Sequence, residues 1–474
     1  MHVAAQDRLR EAGGDRVSVA ASPSVSASAA IGRRLLRGGG WALFGRALAL
    51  PVGLALAMLL ARLLPPAELG AYFLATSLVA LLVIVAQGGL ARPMVKLVAA
   101  ALATDRPEAA RRAVRLAFVV TVLGGAIIGV AVADGPGRLL TGALRDGAVL
   151  QPVLWAIGAL VLIAALVDLC VESLRGFHDL RSASLLGDTL AQRLLLIIGL
   201  MVAWLAARPI GLWDVLAAAV LCAAVVLVAA LLLLRRRLAA IGRHGAPWRD
   251  RDVLRHGPPF MLVRLNLWLL AGADLWILAL FRPPEEVALY GAASRLALLV
   301  GIPLTICNAA LAPMVAEFHS QGRLDRLEKV VRATATLSAL PALALVGLFA
   351  LFGAEALELV YTSAYAEGYA IVVVLALGQW LHVVFGSCAI SLTMTGHQRD
   401  VMLAGIATSV GTVLGYAAAA PGYGALGVAL VTAASLAAYN LVLAWLARKR
   451  LGISTWVTVS PVALRRCLAV LRGA

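Results

Sequence analysis

The chain has 474 residues, 62% of them hydrophobic and only 14% charged, with a formal net charge of +16. Ordinary soluble domains carry about 25% charged residues, so a mean hydropathy of +0.92 excludes a soluble fold. The apolar runs are continuous and do not alternate with period two, which excludes a barrel as well.

Residues 1–37 mix Ala, Ser and Val with arginines and contain no uninterrupted apolar core, so they read as a disordered basic tail and not a signal peptide. From there the sequence alternates apolar stretches of spanning length with short polar connectors. The expected spans lie near 41–61, 69–91, 116–133, 150–171, 184–206, 211–234, 259–281, 287–314, 333–353, 369–393, 401–420 and 424–447. The fold class is therefore an all-α polytopic membrane protein of about twelve transmembrane helices. Residues 38–237 form an N-lobe, 238–256 a cytoplasmic linker, 257–450 a C-lobe and 451–474 a cytoplasmic amphipathic tail.

Of the 41 basic residues, 32 fall in the tails and alternate connectors, five in the opposite connectors and four within spans. That asymmetry places both termini in the cytoplasm by the positive-inside rule and accounts for the charge without nucleic acid. The five cysteines form no Cys-x-x-Cys pair and read as small packing residues, so no metal, cofactor or catalytic residue is expected.

An internal repeat is visible at an offset of 218 residues. Arg46 falls on Arg264, Pro65-Pro66 on Pro283-Pro284, Glu68 on Glu286 and Tyr72 on Tyr290. An even number of spans separates equivalent positions, so the two six-helix lobes share one orientation and are related by an axis along the membrane normal. A V-shaped central cavity between them is implied. Each half also carries an Asp-Arg-x-Glu segment, at Asp105 and Asp325, which predicts a short amphipathic cytoplasmic helix before its third span.

Few ionisable groups fall inside spans, where they are costly. Arg46 and Arg264 lie at equivalent depth in the cytoplasmic third of helices one and seven, either snorkelling to the interface or facing the cavity. Arg295 and Asp274 lie equally far from a shared hairpin and are candidates for an ion pair, structural or switchable. Gln379 and His382 share a face of helix ten, as interhelical hydrogen-bonding groups or a proton relay. Asp168, Glu172 and Arg175 run at helical spacing opposite Asp188, Gln192 and Arg193, a pattern that interfacial ion pairing explains. Pro51, Pro303 and Pro341 lie within spans and are expected to kink them.

Several segments, in order, resemble the polysaccharide biosynthesis (oligosaccharide flippase) proteins. They are GRALALPVGLALAMLLARLLPPAELGAYFLATSLVALL, the run DLWILALFRPPEEVALYGAASRLALLVGIP with its continuation to Phe318, SLTMTGHQR, and PGYGALGVALVTAASLAAYNLVLAWLARKRLGI. The resemblance covers roughly residues 38–453. It implies membership of the superfamily that also holds multidrug extruders and peptidoglycan precursor flippases. The short tail after helix twelve fits the oligosaccharide branch, since the precursor flippases typically add two helices. The resemblance further implies translocation of an undecaprenyl-diphosphate-linked oligosaccharide across a bacterial inner membrane by alternating access. Arg46, Arg264 and Arg295 would then meet the substrate, with Arg295 matching the cavity arginine of a Tyr-x-x-x-x-Arg setting. Asp274, His382, Gln379 and Pro51 are the coupling or gating candidates. The expected partners are the lipid-linked oligosaccharide, anionic lipids at the cytoplasmic face and a glycan polymerase or other envelope assembly protein. The alternatives are a cation-coupled drug exporter of the same fold and a non-transporting scaffold. The first is weakened because the cores of helices one to three contain no Asp or Glu. An enzyme presenting carboxylates on large outer loops does not fit the short connectors.

Overall fold

The computed structural model describes residues 48–49, 51–144, 147–187, 189–206, 208–242 and 244–458. The expectations for the tail 1–37, for Arg46 and for the segment after Pro461 lie outside them, as do those for Asp188 and Cys467.

Among the described residues every regular element is helical. The first half holds α1 (Pro51–Leu63), α2 (Pro66–Ala86), α3 (Ala91–Ala103), α4 (Pro107–Asp134) and α5 (Pro136–Ala143). It continues with α6 (Leu154–Gly176), α7 (Leu180–Leu186), α8 (Leu190–Leu205) and α9 (Leu212–Ala240). The second half holds α10 (Asp250–Leu254), α11 (Gly257–Phe281), α12 (Pro284–Ala297), α13 (Ile302–Ser320) and α14 (Leu324–Val360). It ends with α15 (Tyr369–Phe385), α16 (Cys388–Met394) and α17 (Gln398–Leu451).

Among the described residues eight helices are long and apolar enough to cross a membrane, or ten if the bent pairs α7–α8 and α10–α11 each count as one span. Between 28% and 61% of each of the eight spanning windows is buried, which leaves broad apolar faces for lipid. The 54 residues of α17 would measure about 80 Å if straight, against a hydrocarbon core of about 30 Å. Instead α17 folds back on itself. Arg450 near its end bridges to Asp400 near its start at 2.8 Å, and Tyr416 Oη meets Thr432 Oγ1 at 2.9 Å. The reversal is at Gly424, with φ +57° and ψ −144°. The two arms raise the number of crossing segments to eleven. The remaining expected span corresponds to α1, of which residues 51–63 and the helical residues 48–49 are described.

The halves pack as two groups. In the first, α2, α3, α4 and α9 all lie against α6; in the second, α11 and α15 lie against α17, and α14 against α15. They meet where α2 lies along α11 and α12. At that crossing a Cβ on Gly70 would stand 2.2 Å from the Pro284 carbonyl and 3.2 Å from Ala288 N, and one on Gly291 would stand 2.3 Å from the Phe73 ring. Gly70 and Ala288, and Phe73 and Gly291, are each separated by the repeat offset. Each residue therefore touches its own repeat image, the signature of two helices crossing on a pseudo-twofold axis.

The repeat also appears in how helix ends are satisfied. Glu68 in the first turn of α2 accepts from Leu212 N of α9 at 2.7 Å, and its equivalent Glu286 accepts from Ala425 N of the second α17 arm at 2.7 Å. A carboxylate at a helix N-terminus satisfies an orphan N–H and complements the dipole. Arg282 completes the clamp by donating to the Ala420 and Pro421 carbonyls that end the first arm, at 3.0 and 2.9 Å.

Two expectations are corrected. No separate amphipathic helix follows Asp105 or Asp325. Asp105 has φ +52° and meets His244 at 3.1 Å, while Pro107 starts α4 directly, and Asp325 lies in the first turn of the long α14. The chain directly after α17 packs against the bundle. Ile453 and Thr455 are buried, and Val457 N donates to Val384 O at 3.0 Å. The break in α14 falls at Phe352 and not at Pro341, whereas Pro303 does follow a 3-10 turn at Leu298–Gly301.

Candidate functional site

The ionisable residues of the interior gather where the two groups meet. Arg264 on α11 donates from one nitrogen to Asp168 on α6 at 3.0 Å and to Gln87 Oε1 at 3.1 Å. Gln87, fully buried at the end of α2, donates in turn to Asp168 at 3.0 Å and to the Ala165 carbonyl at 3.0 Å. One arginine from the second half thus closes a three-residue network with two residues of the first. Beside it the backbones come together at glycines: a Cβ on Gly89 would stand 2.2 Å from Gly257 O, and one on Gly257 would stand 2.3 Å from Gly88 O. A turn beyond Arg264, Trp268 donates to the Ser77 carbonyl at 3.2 Å.

Arg295 and Asp274 do not form an ion pair. Arg295 donates to Gly291 O of its own helix at 2.9 Å, and its guanidinium lies 3.6 Å from the centre of the Phe73 ring on α2. Asp274 accepts from Tyr290 Oη at 2.8 Å, and that hydroxyl continues through Thr432 at 3.0 Å to Tyr416. Equal depth along two helices does not bring two side chains together unless their faces also agree. Tyr290 and Arg295 are five residues apart, about 140° around the helix, so one face of α12 looks at Asp274 and α17 while the other looks at α2.

Arg193 on α8 was assigned to the interface and sits deeper than that. It donates to Ala49 O at 3.2 Å, runs past Gly53 where a Cβ would stand 2.8 Å from it, and lies within Coulombic range of Tyr72 and Arg295. Its proximity to Arg295 pairs residues more than a hundred positions apart, which no spacing rule could reveal. Of the other polar spans, Glu172 is buried and bridges to Arg175 at 2.6 Å and Arg92 at 3.2 Å. His382 meets Asn440 Oδ1 at 2.9 Å, joining α15 to α17 as interhelical hydrogen bonding. Gln379 faces Gly301, whose added Cβ would stand 3.1 Å from its Oε1. Pro51 lies at the start of the described stretch 51–63 of α1, and residues 48–49 before it are helical as well. Among the described residues no group of His, Cys, Asp or Glu is placed to hold a metal ion.

The sequence profile of the family described as "Polysaccharide biosynthesis protein" matches residues 35–319. The chain belongs to that family. This polysaccharide biosynthesis protein also shares its fold with solved transporters. An inward-facing multidrug resistance MATE family transporter of the MOP superfamily aligns with a TM-score of 0.70 at 17% identity, covering 85% of this chain and 94% of that one. The lipid II flippase MurJ in an inward closed conformation aligns with a TM-score of 0.67 at 14% identity, covering 91% and 92%. A MOP superfamily transporter from Pyrococcus furiosus, described as having a binding pocket of reverse polarity, aligns at 0.56 and 16% identity, covering 88% and 95%. A comparison with curated proteins returns no match. The protein is thus a multi-pass membrane protein of the polysaccharide biosynthesis family, with the fold of these transporters.

Proposed function

We propose that the protein flips an undecaprenyl-diphosphate-linked oligosaccharide across the bacterial inner membrane, both termini being cytoplasmic. The observation that carries this reading is Arg295, a cation between the two halves with no carboxylate within 4 Å among the described residues. An interior cation usually pairs or lines a pathway, and a diphosphate supplies what this one lacks. Arg193 adds a second guanidinium from the opposite half, so a headgroup between them would neutralise both and draw the halves together. Arg264 takes a different part, because Asp168 already holds it. Its network fastens the two halves at the basic end, and an anion that attracts Arg264 would weaken that fastening. Asp274, held by a tyrosine and not by a cation, is the coupling candidate.

Changing Arg295 to Ala should abolish export of surface glycan while the protein inserts at its normal level. Lysine, with its single compact charge, should restore only part of the export. Full export by the alanine variant, measured as surface glycan per unit of membrane protein, would remove Arg295 from the site.

A further inference from the structure

We infer that the first half carries a binding site for an anionic diacyl phospholipid, in the cleft between the start of α4 and the end of α9. This site is separate from the interior between the two halves and does not depend on the transported substrate.

The cleft has a volume of ≈ 780 Å³ and is lined by both charged and apolar side chains. Arg111 and Arg115 of α4 and Arg235 of α9 stand on it. Arg111 donates through Nε and one terminal nitrogen to the Gly242 and Ile241 carbonyls, at 3.2 and 2.6 Å. Its other terminal nitrogen is left for a ligand. Arg115 and Arg235 are exposed and have no ion pair or hydrogen bond among the described residues. Three nearby carboxylates are committed elsewhere: Asp250 holds Arg112 at 2.8 Å, Asp179 holds Arg237 at 2.8 Å and Asp105 faces His244 at 3.1 Å. Glu108, a turn before Arg112, pairs with no described residue within 4 Å and does not line the cleft. Three guanidiniums thus share one cleft whose lining contains no carboxylate.

The apolar part of the cleft decides the class of ligand. Phe118, seven residues beyond Arg111 and so about 10 Å deeper along the helix, lines it together with Val114 and Leu231. Farther along the same helix faces the exposed residues are apolar, Val122 on α4 at 42% and Val228 and Leu221 on α9 at 57% and 68% exposed. A soluble phosphate would use only the arginines. A phospholipid uses both parts, its phosphate among the guanidiniums and its acyl chains along the apolar faces. The distribution of Lys and Arg puts this end at the cytoplasmic leaflet, where anionic headgroups attract basic clefts between helices.

The test titrates the delipidated full-length protein with phosphatidylglycerol or phosphatidylcholine and counts bound lipids by native mass spectrometry. Phosphatidylglycerol should bind preferentially. The double variant Arg115→Gln/Arg235→Gln should bind it about 25-fold more weakly, about fivefold per arginine. A control pair on the other half, Arg323→Gln/Arg326→Gln, should bind as the unaltered protein does. The inference is overturned if the unaltered protein binds both lipids equally, a result that needs no variant to fold. It is also overturned if the double variant keeps full affinity or the control pair loses as much. Displacement of phosphatidylglycerol by equimolar inorganic phosphate would leave a simple anion site in its place, and displacement by substoichiometric undecaprenyl diphosphate would assign the cleft to the transported lipid.

Discussion

Single charged residues in this protein do one of three jobs, and their partners tell which. Glu68 and Glu286 cap helices across the bundle, so replacing either with Gln should cost about 1–2 kcal/mol of stability through a weakened charge-assisted bond. Thermal melting of the purified variants reads that loss, and the two should lose similar amounts because their geometry is the same. Asp179, in the turn before α7, accepts from Arg237 and from Ser182 N at 3.2 Å. Burial alone would push its carboxyl up, but the Arg237 guanidinium and the Ser182 N–H outweigh it and hold it below the usual aspartate range. A folded-state value below the unfolded one stabilises the protein above the ordinary aspartate range, and the gain is lost as pH falls through the folded value. Asp179→Asn should therefore melt lower than the unaltered protein at neutral pH and match it in strong acid. A gap that persists in acid would make the aspartate's contribution one of shape and not charge. The third job, offering an unpaired cation, belongs to Arg295, Arg115 and Arg235.

At the scale of elements, the hairpin in α17 depends on one glycine. Gly424 has a backbone conformation open essentially to glycine alone, and a Cβ there would stand 2.1 Å from Glu286 Oε1. Gly424→Ala should cost on the order of 1–3 kcal/mol from the backbone alone, and more once Glu286 is driven from its cap. An unchanged melting temperature would show that the reversal is set elsewhere. The sequence announced this hairpin only as two adjacent apolar stretches with Pro421 between them. Which residues clasp it was hidden, because Arg282 and Glu286 lie some 140 positions away. Periodicity, length and charge placement disclosed the helices and their repeat, since those properties are local or additive along the chain. The pairing of Asp274 was misread for the opposite reason: depth is additive along a helix, but facing depends on rotation and on neighbours that composition does not name.

For the whole molecule, the contact between halves is held at both ends of the crossing, by Gly70 against Pro284 and by Gly88 and Gly89 against Gly257. A transporter that opens to alternate sides must part these contacts in turn. Cysteines replacing Ser77 on α2 and Gly272 on α11, where a Cβ on Gly272 would stand 3.4 Å from Ser77 Oγ, should stop glycan export once oxidised in membranes, and reduction should restore it. Export that continues at full rate with the bond formed would mean that the halves do not part along α2 and α11. The same closeness explains why α2 and α12 carry small residues where they cross, since glycine lets backbones approach without strain.

The fold-back of α17 also bears on how the protein yields to force. Its arms meet each other at Arg450–Asp400 and Tyr416–Thr432, contacts local to one stretch of chain, while Arg282 and Glu286 grip the bend and Asn266, Tyr290 and His382 hold the arms from outside. A single-molecule pull from the C-terminal side should draw both arms out of the bilayer in one rupture, because freeing the outer arm removes the inner arm's clasp. Adding Glu286→Gln loosens the external grip and should lower the rupture force without splitting the step. Two separate force peaks, one for each arm, would show instead that the arms are anchored independently by the rest of the bundle.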